Sequence, residues 1–402
     1  MSSISGERQG LVALVDATAS VSGGGVYLRN LLAYWSKSPI PLWAEVLHAP
    51  EFDLRGIDTE QRKVLFRKVW IPGIAGRVWL IGSVYKLVWR QLILPLHLWR
   101  RRPAVFFSNS GMLPALIPRK VRTIVAIHNS MPLQPELWNL ERSRLAKLRL
   151  WLLRRQILRL CRAGVEMVVF SEDLKDRLQQ LGARDDRCTV IRHGIEWGEP
   201  ERRLEFPSDL PGARLAGRHF LLYVSQLHRY KNVLNLISAF ASLRKSRPDV
   251  DLLIVGHLTD HGYAQEIQEA IESAGLAGAV RIIPGADRQS LIGLYRIAAG
   301  VVYPSRAENC PFVLLEVMAL GRPIAASDIP AIVETCGDAA IYFHPDDPVA
   351  MSQQMARLLH DAELRDLLSS NGIRRAATLS WPVAARRTLD LILRLAAETS
   401  SV

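Results

Sequence analysis

Two glutamates, Glu308 and Glu316, stand eight positions apart in the stretch 303–327 (YPSRAENCPFVLLEVMALGRPIAAS), where the order of residue types suits ligand chemistry. Gly300 to Pro304 reads as a short apolar strand that delivers Pro304 and Ser305 to a loop. Open α/β sheets bind ligands at the carboxyl ends of such strands. Glu308 lies in that loop. Pro311 suits the first turn of a helix, and the amides of that turn point toward whatever occupies the loop. Glu316 falls within Phe312-Val313-Leu314-Leu315 and Val317-Met318-Ala319-Leu320. A carboxylate in so apolar a helix needs hydrogen-bond donors, which ribose hydroxyls or a neighbouring backbone amide would supply.

The elements that must hold these residues follow from periodicity. Phe220–Ser225, Asp251–Gly256, Val280–Pro284, Gly300–Pro304 and Pro323–Ser327 read as strands. They alternate with helical patterns at Val233–Arg244, Tyr263–Ala274, Ser290–Ala298 and Pro311–Leu320. Strands separated by helices of about ten residues imply parallel βαβ units, hence a Rossmann-like second half. The first half repeats the theme with a strand at Leu11–Val15, the run Gly23-Gly24-Gly25, and a helix from Val26 to Tyr34. Further strands are expected at Ala104–Ser108, Thr123–His128 and Met167–Ser171. Periodicity breaks near 195–215, and the tail Ser380–Ala397 is a strongly apolar helix. The expected organisation is 1–200 as one Rossmann-like domain, 201–379 as a second, and 380–402 as a helix returning to the first.

Bulk properties narrow the setting. At 402 residues, with 49% apolar and 22% charged content, the chain is long enough for two cores. Cys161, Cys188, Cys310 and Cys336 form no CxxC pair, so reduced thiols in a cytosolic setting fit better than a disulfide framework or a zinc site. The N-terminus has no basic region ahead of its short apolar run, which argues against a secretory signal. The net charge of +12 sits wholly in the first half: residues 1–200 carry 30 basic and 17 acidic groups. Between 61 and 165 there are 21 basic residues against Glu136 and Glu141. Such asymmetry calls for a polyanionic surface: nucleic acid, anionic lipid or a phosphorylated substrate.

Two segments in the basic block stand apart. Residues 78–99 are rich in Trp and Leu but include Lys86, Arg90 and Pro95, while 144–160 place leucines at helical spacing with Arg and Lys on the remaining face. Neither has the twenty or so apolar residues of a membrane-spanning helix. Each either packs on its own core or lies among lipid headgroups, and the near absence of acidic residues favours the membrane surface. No nucleic-acid-binding signature accompanies the charge, so nucleic acid is not an expected partner.

The stretch around the glutamates resembles the nucleotide-sugar site of retaining glycosyltransferases of family 4, whose hallmark is two glutamates separated by seven residues. The likeness extends over nearly the whole chain, through Phe220–Asn232 (FLLYVSQLHRYKN), Asp251–Gly256, Val333–Pro345 and the tail beginning Ser380-Trp381. It is looser at the glycine run, Ile127-His128 and Val169–Ser171. The resemblance implies a GT-B fold: α/β, with two Rossmann-like domains facing each other across a cleft. It casts Glu308 on the transferred sugar and Glu316 on the ribose. The loop Asn309-Cys310-Pro311 and the helix start at Phe312-Val313 would line the donor site. Lys231, helped by Arg229, would stabilise the leaving diphosphate together with the amides beside Gly24 and Gly25. His128 matches a cleft histidine expected to contact donor sugar or acceptor. Retention of anomeric configuration and cleft closure that excludes water follow from the same likeness.

The chain departs from the family at Ser225 and Gln226, where glycine and arginine are common, and at Asn309–Pro311, where a glycine-rich GFG is usual. Asp249-Val250-Asp251 has the DxD form that other glycosyltransferases use for metals, but it opens a strand after Pro248, and neither metal nor cofactor is expected. The glycine triplet lacks GxGxxG spacing, and no GxSxG elbow occurs. The leading expectation is a metal-independent hexosyltransferase, peripheral on the inner face of a bacterial cell membrane. It would extend a lipid-linked saccharide in surface-polysaccharide assembly, with GDP-mannose as donor by overall likeness to the family's mannosyltransferases. The alternatives are a soluble transferase acting on a phosphorylated small molecule, and a non-catalytic nucleotide-sugar-binding protein of the same fold.

Overall fold

The computed structural model describes residues 12–18, 23–38, 43–59, 64–69, 85, 88–195, 219–258 and 260–400. The chain forms two compact units: 1–129 with 151–194 and 380–402, and 130–150 with 195–379. Each is built around one wholly parallel sheet. The break in periodicity expected at 195–215, and much of the segment 78–99, lie outside the described residues.

In chain order, the first unit's sheet is made of β1 (Ala13–Ala17), β2 (Ala44–His48), β3 (Val64–Lys68), β4 (Val105–Ser108), β5 (Arg122–Ala126), β6 (Glu166–Val169) and β7 (Cys188–Val190). Their order across the sheet is β3-β2-β1-β4-β5-β6-β7, so direction of travel reverses between β1 and β4. The first unit's helices are α1 (Gly23–Lys37), α2 (Leu94–Arg101), α3 (Arg144–Ala163), of which residues 144–150 fall in the second unit, and α4 (Glu172–Gln180). The glycine run is not a loop ahead of the helix but its first turn: α1 starts at Gly23. Tyr27, Leu28, Leu31, Leu32 and Trp35, spaced one to four apart, form its buried face.

The chain enters α2 through a π-helical turn, Trp89–Ile93, in which the Leu94 amide reaches back to the Trp89 carbonyl. Pro95 follows immediately and has no N–H to return to Gln91; a widened turn absorbs both the missing bond and the clash. The helix stops at Arg102, whose left-handed φ of 45° lets its amide bond the Leu98 carbonyl ahead of Pro103.

The second unit holds β8 (His219–Val224), β9 (Val250–Val255), β10 (Val280–Ile283), β11 (Gly300–Tyr303), β12 (Ile324–Ser327) and β13 (Ala340–Phe343). The order is β10-β9-β8-β11-β12-β13, with its reversal between β8 and β11. Helices α5 (Val233–Ser246), α6 (His261–Ser273), α7 (Arg288–Ile297), α8 (Phe312–Ala319), α9 (Pro330–Cys336), α10 (Pro348–His360) and α11 (Ala362–Ala376) cover it. Alternation along the central strands feeds two cores. Leu221, Tyr223, Leu252 and Ile254 pack into one, while Phe220, Leu222, Leu253 and Val255 pack into the other. Burial on both faces is why these strands read as continuous apolar runs.

The last helix, α12 (Trp381–Ser400), belongs to the first unit. It packs on α1, and the buried Trp35 indole donates to the Ala385 carbonyl at 3.0 Å. Gly194 passes so close that a Cβ there would lie 2.1 Å from the Trp381 nitrogen.

In the second unit, a few contacts fix the loop after β8 against the loops after β11 and β13 and against the end of β9. Asn232, at a left-handed φ of 66°, donates its side-chain amide to the Pro304 carbonyl at 3.0 Å and the Pro345 carbonyl at 2.6 Å. The Arg306 amide donates to the Tyr230 carbonyl at 2.8 Å. Gly256, at the end of β9, leaves room for the Ser225 carbonyl, which a Cβ would meet at 1.7 Å. Asparagine suits Asn232 twice over, because it tolerates the left-handed region and its NH2 serves two acceptors. Asn232→Asp keeps the shape but sets a carboxylate against two carbonyls. We expect it to destabilise the second unit by about 3 kcal/mol, more than Asn232→Gly, as read by denaturant titration.

Candidate active site

The reversal between β8 and β11 opens a crevice at the carboxyl ends of those strands, the position at which open α/β sheets take ligands. β8 leads through residues 225–228 into a single 3-10 turn, Arg229–Lys231, and β11 ends on Tyr303. The two come together at Lys231. Its ammonium, on a residue 8% exposed, lies 2.5 Å from Glu308 Oε1 and 3.3 Å from the Tyr303 hydroxyl. It also stands 5.2 Å from the centre of the Tyr230 ring and 5.5 Å from that of Tyr303. Burial works against the ammonium, but the Glu308 carboxylate outweighs it and holds the lysine pKa above its ordinary value. The Tyr303 phenol is kept protonated by burial and by the adjacent Glu308 charge. Lys231 and Glu308 are thus one charged unit in a dry setting, with Tyr303 as a third member that sequence reading passed over. Its position as the last residue of β11 was the available signal.

Arg229 is held elsewhere. Its guanidinium makes a two-point contact with Glu266 at 2.7 and 3.0 Å, a further contact with Asp260 at 3.3 Å, and lies over the Tyr263 ring at 4.7 Å. Contact with a diphosphate would require it to leave two carboxylates. Gln226, where the family commonly has arginine, pairs with His228 at 3.3 Å.

Glu316 projects from α8, whose N-cap is Pro311 rather than the first helical residue. The side chain is 29% exposed, so it is half-buried rather than enclosed. The Tyr295 hydroxyl stands 3.4 Å from Oε2 and the Arg288 guanidinium 3.6 Å from Oε1, both from α7. Desolvation raises the carboxyl pKa, and Arg288 and Tyr295 offset part of the rise. Asn309 is buried, Cys310 half-buried, Pro311 buried, and Phe312 and Val313 half-buried, so this stretch forms the wall between the two glutamates in sequence.

In the first unit, Gly24, Gly25 and His128 belong to a second cluster at the carboxyl ends of β4, β5 and β6. His128 lies two residues past β5 rather than within it. The Gly24 carbonyl can only accept, so it draws the Asn109 NH2 toward itself at 2.9 Å. This turns the Asn109 oxygen to His128 Nε2 at 2.8 Å, and Nε2 must therefore carry the proton. The ring stacks on Phe170 with centroids 4.7 Å apart, and Phe170 stacks in turn on His193 at 4.2 Å. Tyr27 meets His128 edge-on at 5.2 Å. Burial depresses the His128 pKa to about 3 and holds that of His193 well below its ordinary value. Both rings are neutral at physiological pH. Asn109, Phe170 and His193 were missed; each follows directly on a strand or closes one segment further on, where the carboxyl-end rule would have pointed.

Other sequence signals resolve structurally. Asp249 pairs with Arg247 at 2.6 Å, while the buried Asp251 faces Arg244 at 3.5 Å, so arginines take up the DxD carboxylates. Among the described residues, no three His, Cys, Asp or Glu side chains gather in a way that could hold a metal ion. No described helix is long and apolar enough to cross a membrane.

Two parallel-sheet Rossmann-like units, the second with a charged pair and a carboxylate helix at its switch point, define the GT-B class of fold. Residues 21–197 match the family described as Glycosyltransferase Family 4, and residues 212–375 match that described as Glycosyl transferases group 1. The chain belongs to glycosyltransferase family 4. It is 26% identical over 235 residues to the D-inositol 3-phosphate glycosyltransferase of Streptosporangium roseum, covering 54% of this chain and 52% of the relative. It is 26% identical over 179 residues to the O-antigen chain mannosyltransferase B of Escherichia coli, covering 44% and 46%. The chain spans about half the length of the curated relatives it matches. In fold it is similar to the sucrose-phosphate synthase of Thermosynechococcus elongatus, with a TM-score of 0.70 at 17% identity, covering 96% of this chain and all of that one.

Two titrations check the electrostatics. Carbon-detected NMR should place the Glu316 pKa above the ordinary glutamate value, and Arg288→Gln should raise it further by removing the nearest cation. His128 should show no protonation step between pH 8 and about pH 4, with nitrogen shifts of the Nε2–H tautomer.

Proposed function

We propose that the chain is a retaining glycosyltransferase that moves a hexose from a nucleoside-diphosphate sugar to an acceptor hydroxyl without a metal ion. The observation that carries this reading is the buried, charged Lys231–Glu308 pair at the switch point of the second sheet. Cleavage at the anomeric carbon leaves negative charge on the diphosphate and an oxocarbenium-like sugar. A diphosphate entering the crevice competes with Glu308 for the Lys231 ammonium. The lysine then neutralises the leaving group, and the released carboxylate accepts from sugar hydroxyls. The first amides of α8 add partial positive charge on the same side. Glu316 is assigned to the ribose, with Tyr295 and Arg288 fixing its direction. Arg229 is a reserve for the diphosphate that must first leave Glu266.

The assignment of Gly24, Gly25 and His128 to donor phosphate, donor sugar or acceptor belongs to the same proposal. With its Nε2 proton given to Asn109, neutral His128 brings no positive charge to this cluster. It suits a hydroxyl rather than a phosphate. Departure and attack on the same face of the sugar give retention.

We assign the acceptor as a lipid-linked saccharide of bacterial surface-polysaccharide assembly, met at the cytoplasmic face of the cell membrane, with GDP-mannose as the first donor to test. The basic first half and the likeness to an O-antigen mannosyltransferase support this. A phosphorylated small-molecule acceptor is the second reading, supported by the same charge and by the likeness to the D-inositol 3-phosphate enzymes.

A thermal-shift panel of GDP-, UDP-, dTDP- and ADP-sugars tests the donor, since a ligand of the native state raises its apparent stability. One of them should stabilise the protein; protection by none would remove the transferase reading. Glu316→Ala should weaken that donor about 100-fold with the fold intact. Lys231→Ala should lower turnover about 10²- to 10³-fold. Donor binding should fall as pH drops through the raised Glu316 pKa, because the protonated acid no longer accepts from two hydroxyls, and in Arg288→Gln it should fall at a higher pH.

A further inference from the structure

Helix α3 is twenty residues long, yet its buried residues are confined to Ile157, Leu160 and Cys161 in its last third. The remainder carries leucines and a tryptophan that pack on no core: Leu145, Leu148, Trp151 and Leu152 are 76%, 50%, 43% and 53% exposed. The π-helical turn and α2 have the same peculiarity. Trp89, Leu94 and Leu98 fill a core cluster, but Leu92, Leu96 and Trp99, on the opposite side, are 68%, 57% and 59% exposed. Both helices are therefore apolar where they meet protein and apolar again where they do not.

Within the first unit, the part of α3 from Trp151 onward neighbours the exposed face of α2. Gln91, next to Leu92, and Gln156, one turn beyond Leu152, both donate to a single acceptor, the Leu113 carbonyl, at 3.3 Å each. Leu116, three residues on from that carbonyl, is 69% exposed. Scattered apolar residues on a surface need no explanation, whereas a gathering of Leu92, Leu96, Leu116, Trp151 and Leu152 does. Cations surround it: Arg100 in the last turn of α2 and Arg102 just past it are exposed, as are Arg155, Arg159 and Arg162 along α3. Between 88 and 163 the acidic residues are Glu136 and Glu141.

We propose that this surface is a bilayer-docking site, with the leucines and Trp151 seated in the interfacial layer of an anionic membrane and the arginines on lipid phosphates. Leucine and tryptophan beside arginine is the composition of interfacial helices, in which apolar area and headgroup attraction act together. An anionic bilayer offers both an apolar layer and a sheet of phosphates, which matches leucine and tryptophan rimmed by arginine. The docking site also reaches the first unit's sheet. The π-helical turn that exposes Leu92 buries Arg90 against Asp16 at 3.3 Å and Thr18 at 3.0 Å, at the carboxyl end of β1 beside the β1–β4 reversal. A lipid-borne acceptor would enter beside that end. This last point rests on the lipid-linked acceptor proposed above; the docking itself does not.

The test is flotation of the full-length protein with vesicles of phosphatidylcholine alone or with 30% phosphatidylglycerol (about a third anionic,), at low and high salt. Wild type should float with the anionic vesicles at low salt, and tryptophan emission should shift to the blue. The variant Leu92→Ser/Trp151→Ser/Leu152→Ser should partition at least about tenfold less while keeping wild-type donor-induced thermal stabilisation. Equal flotation of wild type and variant would overturn the assignment of this surface. Absence of wild type from every vesicle, with light scattering showing a dimer that the variant abolishes, would make it a self-association face instead. Normal vesicle docking with no donor stabilisation would count against the transferase reading and leave the docking site standing.

Discussion

A lysine ammonium held charged in the interior of the second unit is the constraint around which the rest of that unit is arranged. An unpaired ammonium there would lose its proton, since burial of an ion without compensation costs several kcal/mol. Glu308 prevents this, and Glu308 can do so only if the loops after β8 and β11, neighbours in the sheet but far apart in sequence, hold one register. Asn232 enforces that register at the expense of a left-handed backbone, while Gly256, by having no side chain, lets the loop after β8 lie close on the end of β9. The Arg306–Tyr230 backbone bond adds a second tie between the two loops. What looks like incidental loop bonding is the scaffold for a charge pair that a polyanionic ligand can divide.

The two clusters solve opposite electrostatic problems. In the second unit, charge is retained by pairing. In the first, it is eliminated: burial among Phe170, Tyr27 and a second imidazole keeps His128 neutral, and Asn109 settles which nitrogen bears the proton. A neutral ring with a fixed tautomer discriminates hydroxyls by direction, and a charged pair responds to phosphate by strength. Donor recognition of the proposed kind needs both, and in this chain they lie on separate sheets.

Much of the second unit was legible because its central strands are buried on both faces and therefore appear as unbroken apolar runs. The first sheet was less so. β2 reads AEVLH, and its Glu45 is buried only because Arg67, Arg101 and His97 converge on it from far along the chain. β3 is an exposed edge, and β7 has three residues. At the candidate site, Glu308, Glu316 and Lys231 stood out by their setting. Tyr303, Tyr295 and Arg288 did not, because a tyrosine in an apolar strand and an arginine on a helix reveal nothing until the fold brings a carboxylate to them. The engagement of Arg229 by Glu266 was invisible for the same reason: 37 residues separate the partners.

The distribution of the chain between its two units has a consequence for biogenesis. The second unit is complete once residue 379 has been made, whereas the first still lacks α12 at that point. Until then the face of α1 that buries Trp35 and Tyr27 is covered only in part, by Phe107, His128, Phe170 and His193, and the partner of the Trp35 indole has not been synthesised. The half of the protein that is translated first is thus the half that finishes folding last. A chain cut short between residues 379 and 381 would carry a complete second unit beside a first unit with the α12-facing side of α1 open, the kind of exposed apolar surface that favours aggregation.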